Sequence, residues 1–378
     1  MSEFDNIRFY KDEEVQGALQ EYKKHPMIKA LLHFTFPKKP MDVIYETLKE
    51  CHSIRDFQTE IIYHSVQKVL EKSSEGLSYE GFEKLKKDES YLFISNHRDI
   101  ILDTSLLNCT LFENDLVMTA SAIGDNLVQK PFLMALSKLN RNFLVQRNLP
   151  PREMLKSSQN LSLYIKKLLL EDKRSVWMAQ REGRTKDGSD VTQQGVLKML
   201  AMAKGKESLP EYFSKLKIVP VAISYEFDPT DIMKMSELIA KKLQKAYVKT
   251  ANEDFISILK GAIGNKGRIH ITAGEIFDSK KLGKVVDEDA PMNEQLQGIA
   301  TAIDENIYNN YKLWPSNYVA TDLLNEDNKY ASFYSLKEKR QFERRVSKRV
   351  DESDPIARNS YLLMYANPVL NREGLKLK

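Results

Sequence analysis

Apolar positions along residues 1 to about 85 recur at helical spacing. Val43, Ile44, Leu48, Ile54, Ile61, Ile62, Val66, Val69 and Leu70 alternate with charged residues in this way, and Glu75-Gly76 ends the run. From about residue 90 the pattern changes to short apolar runs. Tyr91–Ser95, Leu116–Ala120, Asn142–Gln146, Ser175–Ala179, Ile218–Tyr225 and Arg268–Thr272 are the expected strands, with helical patterns such as Arg152–Glu171 and Gln193–Ala203 between them. Beyond about residue 290 the pattern is helical again. The alternation predicts an α/β fold with a largely parallel, buried central sheet flanked by helices. Three regions are expected: an N-terminal helical region over 1–85, an α/β domain over 86–290, and a helical C-terminal extension over 291–378. In such sheets, binding sites gather where strands reach their carboxyl ends.

Composition narrows the function more than the fold. At 378 residues, 42% apolar and 29% charged, the chain is an ordinary folded protein. A net charge of +4 is small for this length and argues against a dedicated nucleic-acid binder, while leaving room for a local basic face. The basic stretch Lys337–Arg349 reads first as a solvated helix face, with a membrane or anionic-partner face as the alternative. Cys51 and Cys109 stand alone, which excludes a disulfide scaffold or a cysteine-based zinc site and fits a reducing cytoplasm. Four of the six histidines, His25, His33, His52 and His64, lie in the N-terminal helices without ligands at metal spacing, so no metal site is expected. The stretch MSEFDNIRFYKDEE lacks the apolar core of a signal peptide, and no apolar run approaches the ~18–20 residues of a spanning helix. A cytoplasmic protein is expected, peripheral on the membrane face if it acts on lipid.

The chemistry gathers at the end of the first strand of the α/β region. Tyr91–Ser95 delivers Asn96 and His97 to the carboxyl edge of the sheet. An imidazole there is placed for proton transfer, since its unperturbed pKa of ~6.5 leaves it mostly neutral at pH 7. Such a base needs a carboxylate to fix its tautomer. Asp99 and Asp103 are the local candidates. Asp103 is preferred, on the condition that His97 sits in the loop and the helix starts after it, because helical residues six apart do not share a face. Asp99 can instead make a local contact or cap the helix.

In Asn96-His97-Arg98-Asp99-Ile100-Ile101-Leu102-Asp103 the sequence resembles the glycerolipid acyltransferase family, whose hallmark is a His and an Asp separated by four residues. Here five residues separate them. Further segments follow in the family's order. Ala122–Leu127 resembles the small-Gly-x-Asn-Leu stretch, and Phe143–Arg147 the second motif, a strand ending in Arg. Arg181-Glu182-Gly183-Arg184-Thr185 resembles a shortened third motif, and Val219–Glu226 the fourth, a strand opening with Val-Pro. Arg268–Ile271 with Gly274-Glu275 echoes the closing strand and turn. The resemblance spans roughly residues 90–280.

It implies transfer of a fatty acyl group from acyl-CoA or acyl-carrier protein to glycerol 3-phosphate. Lysophosphatidate or another lysophospholipid is the alternative acceptor, and a non-catalytic lipid- or carrier-binding homologue the alternative from another class. His97 would be the base and Asp103 its partner. Arg147 and Arg184 would converge on the acceptor phosphate, for which a planar guanidinium is suited. Gly183 would allow close backbone approach, and Glu182 would orient the arginines or bind a glycerol hydroxyl. Asn96, Arg98, Asp99 and Pro220 are secondary candidates, Pro220 as a residue that shapes its strand. A thioester is already activated, so no metal or redox cofactor is expected. The apolar N-terminal helices with their basic residues are the expected contact with a membrane surface. No Gly-x-Ser-x-Gly elbow, His-Glu-x-x-His or Walker loop is present.

Overall fold

A computed structural model describes residues 3–250 and 252–376, so the extreme ends of the first and last regions lie outside the described residues. Helices α1 (Asp12–Tyr22), α2 (Pro26–Thr35), α3 (Met41–Glu50), α4 (Ile54–Phe57) and α5 (Tyr63–Ser73) come first, the last two joined by a π-helical turn at Gln58–Ile62. The strands are β1 (Leu77–Glu80), β2 (Leu92–Ser95), β3 (Ala120–Gly124), β4 (Asn142–Val145), β5 (Val176–Ala179), β6 (Ile218–Tyr225) and β7 (Ile269–Ala273). Between them run α6 (Leu102–Glu113), α7 (Pro131–Leu139), α8 (Pro151–Leu170), α9 (Gln194–Ala201), α10 (Leu209–Leu216), α11 (Asp231–Lys242) and α12 (Glu253–Ile263). After the last strand come α13 (Ser279–Val285), α14 (Met292–Asn309), α15 (Pro315–Asn325), α16 (Leu336–Arg349) and α17 (Pro355–Lys376).

The strands form one sheet in the order β1-β7-β6-β2-β5-β3-β4. Every neighbouring pair is parallel except β6 with β7. This is the expected α/β architecture, with β2 at the centre of the sheet. Side-chain parity sorts β2 between two apolar layers. Leu92 and Ile94 face a core built with α8, α9, α10 and α14, while Phe93 faces one built with α5 and α6.

Two strand expectations change. Leu116–Ala120 is replaced by Ala120–Gly124. Leu116 and Met118 are buried, which is what their pattern signals, but the Thr119 N–H goes to Asn108 Oδ1, and pairing with β5 begins only at Ala120. Leu77–Glu80, inside the stretch read as helical, is a strand on the sheet edge. Its side chains are mostly exposed and show no alternation, so pairing with β7 alone defines it. The remaining strands agree to within a residue or two.

Beyond the sheet, α11, α15, α16 and α17 share a further apolar cluster. The basic helix α16 is only partly a solvated face. Phe342 and Val346 are buried, and Arg345 turns inward, its Nε donating to Asp231 Oδ2 at 2.9 Å.

Candidate active site

Strand β2 ends at Ser95, and the chain turns through Asn96–Ile101 before α6 begins at Leu102. Side chains hold this turn in place of a ladder. The amide of Asn96, fully buried, accepts from the Ile223 N–H at 2.8 Å and donates to the Ile223 carbonyl at 3.0 Å. A side chain with both a donor and an acceptor can in this way extend the pairing of β2 with β6. Asp99 Oδ1 accepts from the N–H groups of Ile101 at 3.0 Å and Leu102 at 2.9 Å and so caps the start of α6.

That late start places the dyad. His97 Nδ1 lies 2.7 Å from Asp103 Oδ2, although five residues separate them. The same oxygen accepts from the N–H groups of Arg98 at 2.6 Å and Asp99 at 3.0 Å. The second oxygen, Oδ1, accepts from the Tyr225 hydroxyl at 2.8 Å. Burial acts to raise the Asp103 pKa, but His97, the Asp99 N–H and Tyr225 outweigh it and hold the carboxyl below its usual value. Asp99 goes the other way: burial and repulsion from Asp103 raise it. With Nδ1 engaged by a carboxylate, Nε2 is the nitrogen free to take a proton. Trp177 of β5 packs edge-on against the imidazole, with centroids 5.3 Å apart, and donates its own N–H to Ser95 Oγ at 2.9 Å.

His97 opens onto a cavity of about 970 Å³. Its wall is mainly apolar and comes from α2, the π-helical turn, α5, α6, α7, α8 and α12. Arg147, Arg181, Glu182 and Gly183 supply a polar corner in the same cavity. Arg147 follows the end of β4, and its guanidinium pairs with Glu182. Gly183 has a φ of +68°, a left-handed conformation that suits glycine in the tight turn after β5.

Other candidates turn elsewhere. Arg184 does not line the cavity. Its Nη1 donates to Ser257 Oγ at 2.8 Å and Thr230 Oγ1 at 3.2 Å, tying the turn to α12 and the start of α11. Arg98 is buried and donates to Asp190 Oδ2 at 2.5 Å, away from the imidazole. Pro220, the third residue of β6, lies opposite Ile94 and accepts from the Gly274 N–H at 2.8 Å. His270 shares a 2.8 Å hydrogen bond with Ser78 on the sheet edge. Cys109 is buried, and burial pushes its thiol well above the usual range, so it is not a nucleophile.

Sequence reasoning passed over Tyr225, Trp177, Asp190 and Arg181. The available signal was topological: Tyr225 ends β6 and Trp177 lies in β5, the two strands that flank β2. Among the described residues no His, Cys, Asp and Glu cluster could hold a metal ion.

A His–Asp pair with its carboxylate fully buried, at the carboxyl edge of a mostly parallel sheet beside an arginine-lined corner, agrees with one family comparison. The family model described as Acyltransferase matches residues 76–224. Over that span the chain is similar to the acyltransferase family. The matched span carries every strand from β1 to β5 and most of β6, with His97, Asp103, Arg147 and Glu182 inside it. Among solved structures, the chain is similar to the 1-acyl-sn-glycerophosphate (LPA) acyltransferase PlsC from Thermotoga maritima. Identity is 11% and the TM-score 0.38, over 78% of this chain and 94% of that one. No curated protein matches it in sequence.

Proposed function

We propose that the protein is an O-acyltransferase that moves a fatty acyl group from acyl-CoA or acyl-carrier protein onto glycerol 3-phosphate. The observation that carries this reading is the His97–Asp103 pair, 2.7 Å apart, opening onto an apolar cavity of about 970 Å³ with a basic corner. That volume is at the upper end of the ~300–1,000 Å³ typical of ligand pockets, and its apolar wall suits an acyl chain.

His97 Nε2 takes the proton of the acceptor hydroxyl as that oxygen attacks the thioester carbonyl. The tetrahedral intermediate then expels the thiolate, which takes the proton back from the imidazolium. Asp103 keeps the ring oriented and stabilises its charged form. The start of α6 is a poor seat for the oxyanion, because Asp99 and Asp103 already accept from four N–H groups around it. Anchoring of the acceptor through its phosphate makes the attack effectively intramolecular.

The size of the cavity supports a second reading, in which the acceptor brings its own chain, as lysophosphatidate does. The extra residue between His97 and Asp103 favours a non-catalytic binding homologue only if it keeps the two apart, and the 2.7 Å Nδ1–Oδ2 distance supports the catalytic reading instead.

No described helix is long and apolar enough to cross a membrane. Ile101, Met154, Leu259 and Ile263 both line the cavity and are exposed, which puts them at its rim. A rim of this kind favours contact with a lipid surface around the entrance, and it supplies a contact beyond the N-terminal helices.

The test is thiol release by the full chain supplied with acyl-CoA or acyl-carrier protein and either glycerol 3-phosphate or lysophosphatidate. Release dependent on one acceptor is expected, and none with either acceptor across both donors sinks the reading. His97→Ala should cost about 10²–10⁴-fold in rate with the unfolding transition unchanged. A retained wild-type rate removes His97 from the mechanism.

A further inference from the structure

The basic stretch Lys337–Arg349 folds as α16, and only part of it serves the fold. Phe342 and Val346 are buried, while Arg345 Nη2 lies 2.7 Å and Arg349 Nε 3.7 Å from the carboxylate of Asp231. Glu338 faces Arg268 at 3.7 Å. Among the described residues no ion pair reaches Lys337, Arg340, Arg344 or Lys348, and all four are exposed. At about 3.6 residues per turn they fall within about 80° of arc, in a row about 17 Å long on the face opposite Phe342 and Val346.

On its own the row works against the helix. Arg340 with Arg344, and Arg344 with Lys348, are like charges four residues apart, which repel on a helix surface. An anionic partner offsets that repulsion. A bilayer fits the row poorly, because an interfacial helix turns its apolar side to the lipid, and the apolar side of α16 is packed against α11, α15 and α17. Gln341 and Ser347 fill the rest of the exposed face, so no apolar side chain stands on it between Lys337 and Lys348. Leu336, 73% exposed, stands at the head of the row, an apolar anchor beside charge of the kind protein interfaces use.

Position ties the row to the chemistry. Arg268, the partner of Glu338, precedes Ile269, whose register partner in β6 is Tyr225, and the Tyr225 hydroxyl donates to Asp103. The head of α16 therefore stands at the edge of the sheet that carries His97. The helix itself lies outside residues 76–224, the span that the family model matches.

We propose that α16 is the docking surface for an acidic protein that carries the acyl thioester to the cavity. The identity of the cargo rests on the acyl-transfer reading, whereas the basic surface does not. A coenzyme A donor holds its charge in one compact nucleotide. A carrier protein can set several carboxylates along the row and extend its thioester arm toward His97.

The test is calorimetric binding of acyl-carrier protein to the full chain at rising salt, beside transfer assays with acyl-carrier protein and acyl-CoA donors of one chain length. Arg340→Gln combined with Arg344→Gln removes both like-charge pairs, so the fold is kept. The double substitution is expected to weaken carrier binding by about 2–30-fold, as for two exposed ion pairs, and to flatten its salt dependence. Turnover with acyl-CoA should match the wild type. Equal affinities, no salt-dependent binding to the wild type, or an equal loss of acyl-CoA turnover overturn the docking surface. So does a loss of binding to phosphatidylglycerol vesicles that matches or exceeds the loss on the carrier, which assigns the row to anionic lipid. Carrier binding through the row without thiol release from either donor removes the transfer reading alone. Release from acyl-CoA without carrier binding removes the docking surface alone.

Discussion

Tyr225 donates to Asp103 Oδ1, the oxygen that His97 does not use, and both groups are buried. The hydroxyl helps to keep the Asp103 carboxyl below its usual pKa. In Tyr225→Phe that oxygen loses its partner, and a less stabilised carboxylate grips the proton shared with the imidazole more tightly. The acid limb of the kcat/KM profile should then move to higher pH, with kcat reduced roughly tenfold and KM for the acceptor nearly unchanged. A rate loss without displacement of the limb would mean that Tyr225 only supports packing. At this scale the groups proposed to react were legible in the sequence, whereas their holders were not. Asn96, His97 and Asp103 stand in one string, and Arg147 ends a recognisable strand. Tyr225 lies 122 positions from its partner and is joined to it only by strand order. Arg181 escaped notice because the reading assigned the phosphate to Arg184, and nothing local says which of two nearby arginines turns inward.

Apolar runs located the interior strands because burial on both faces leaves a continuous signal. The same signal misplaced β3, where burial starts four residues before pairing does, and was silent for the exposed edge strand β1. The helix α12, which covers one side of the cavity, was not anticipated as part of the site at all. Its C-terminal end is held by Lys266, a fully buried ammonium that donates to the carbonyls of Gly264 at 2.7 Å and Ala262 at 3.1 Å and to Ser73 Oγ of α5 at 2.7 Å. None of these partners is a carboxylate, and burial lowers the pKa of Lys266 to about 8 against an upward pull from Asp99. The folded chain therefore releases this proton before the unfolded chain does, so the group's contribution to stability rises with pH between about 8 and 10.5. Relative to Lys266→Met, the wild type should gain on the order of 2–3 kcal/mol in urea unfolding between pH 7.5 and 10.5. A flat difference across that window would mean that the ammonium stays charged, or is hydrated in a way its burial denies.

The C-terminal helices reach the turn that carries His97 through one buried carboxylate. Asp190 has a φ of +46° and sits in the loop after Gly183. Its Oδ2 accepts from Arg98 at 2.5 Å and from the Tyr311 hydroxyl, beyond the end of α14, at 2.6 Å. Around it, Tyr308 donates to the carbonyls of Ser189 and Asp190, while Asn367 and Asn371 of α17 donate to those of Asp187 and Ser189. The loop that carries Glu182 and Gly183 is therefore clamped from the far end of the chain, and the residue next to His97 is part of the clamp. A helical extension was legible in the pattern, whereas its hold on the turn that carries His97 was not, because the contacts are made by side chains, mostly to backbone carbonyls, across about a hundred residues or more. Burial acts to lower the Arg98 pKa, yet Asp190 and its neighbours carry it above the usual value, so the guanidinium stays charged in the interior. Asp190→Ala would leave that charge without its partner and should cost about 3–5 kcal/mol in unfolding free energy. Arg98→Met combined with Asp190→Leu should recover most of the loss, since a buried ion pair is often replaceable by apolar residues of similar volume. Unfolding measured for Arg98→Met, Asp190→Leu and the double separates the pair's coupling from the clamp's other bonds. If Asp190→Ala cost less than about 1 kcal/mol, the C-terminal helices would be packing beside the active site rather than holding it.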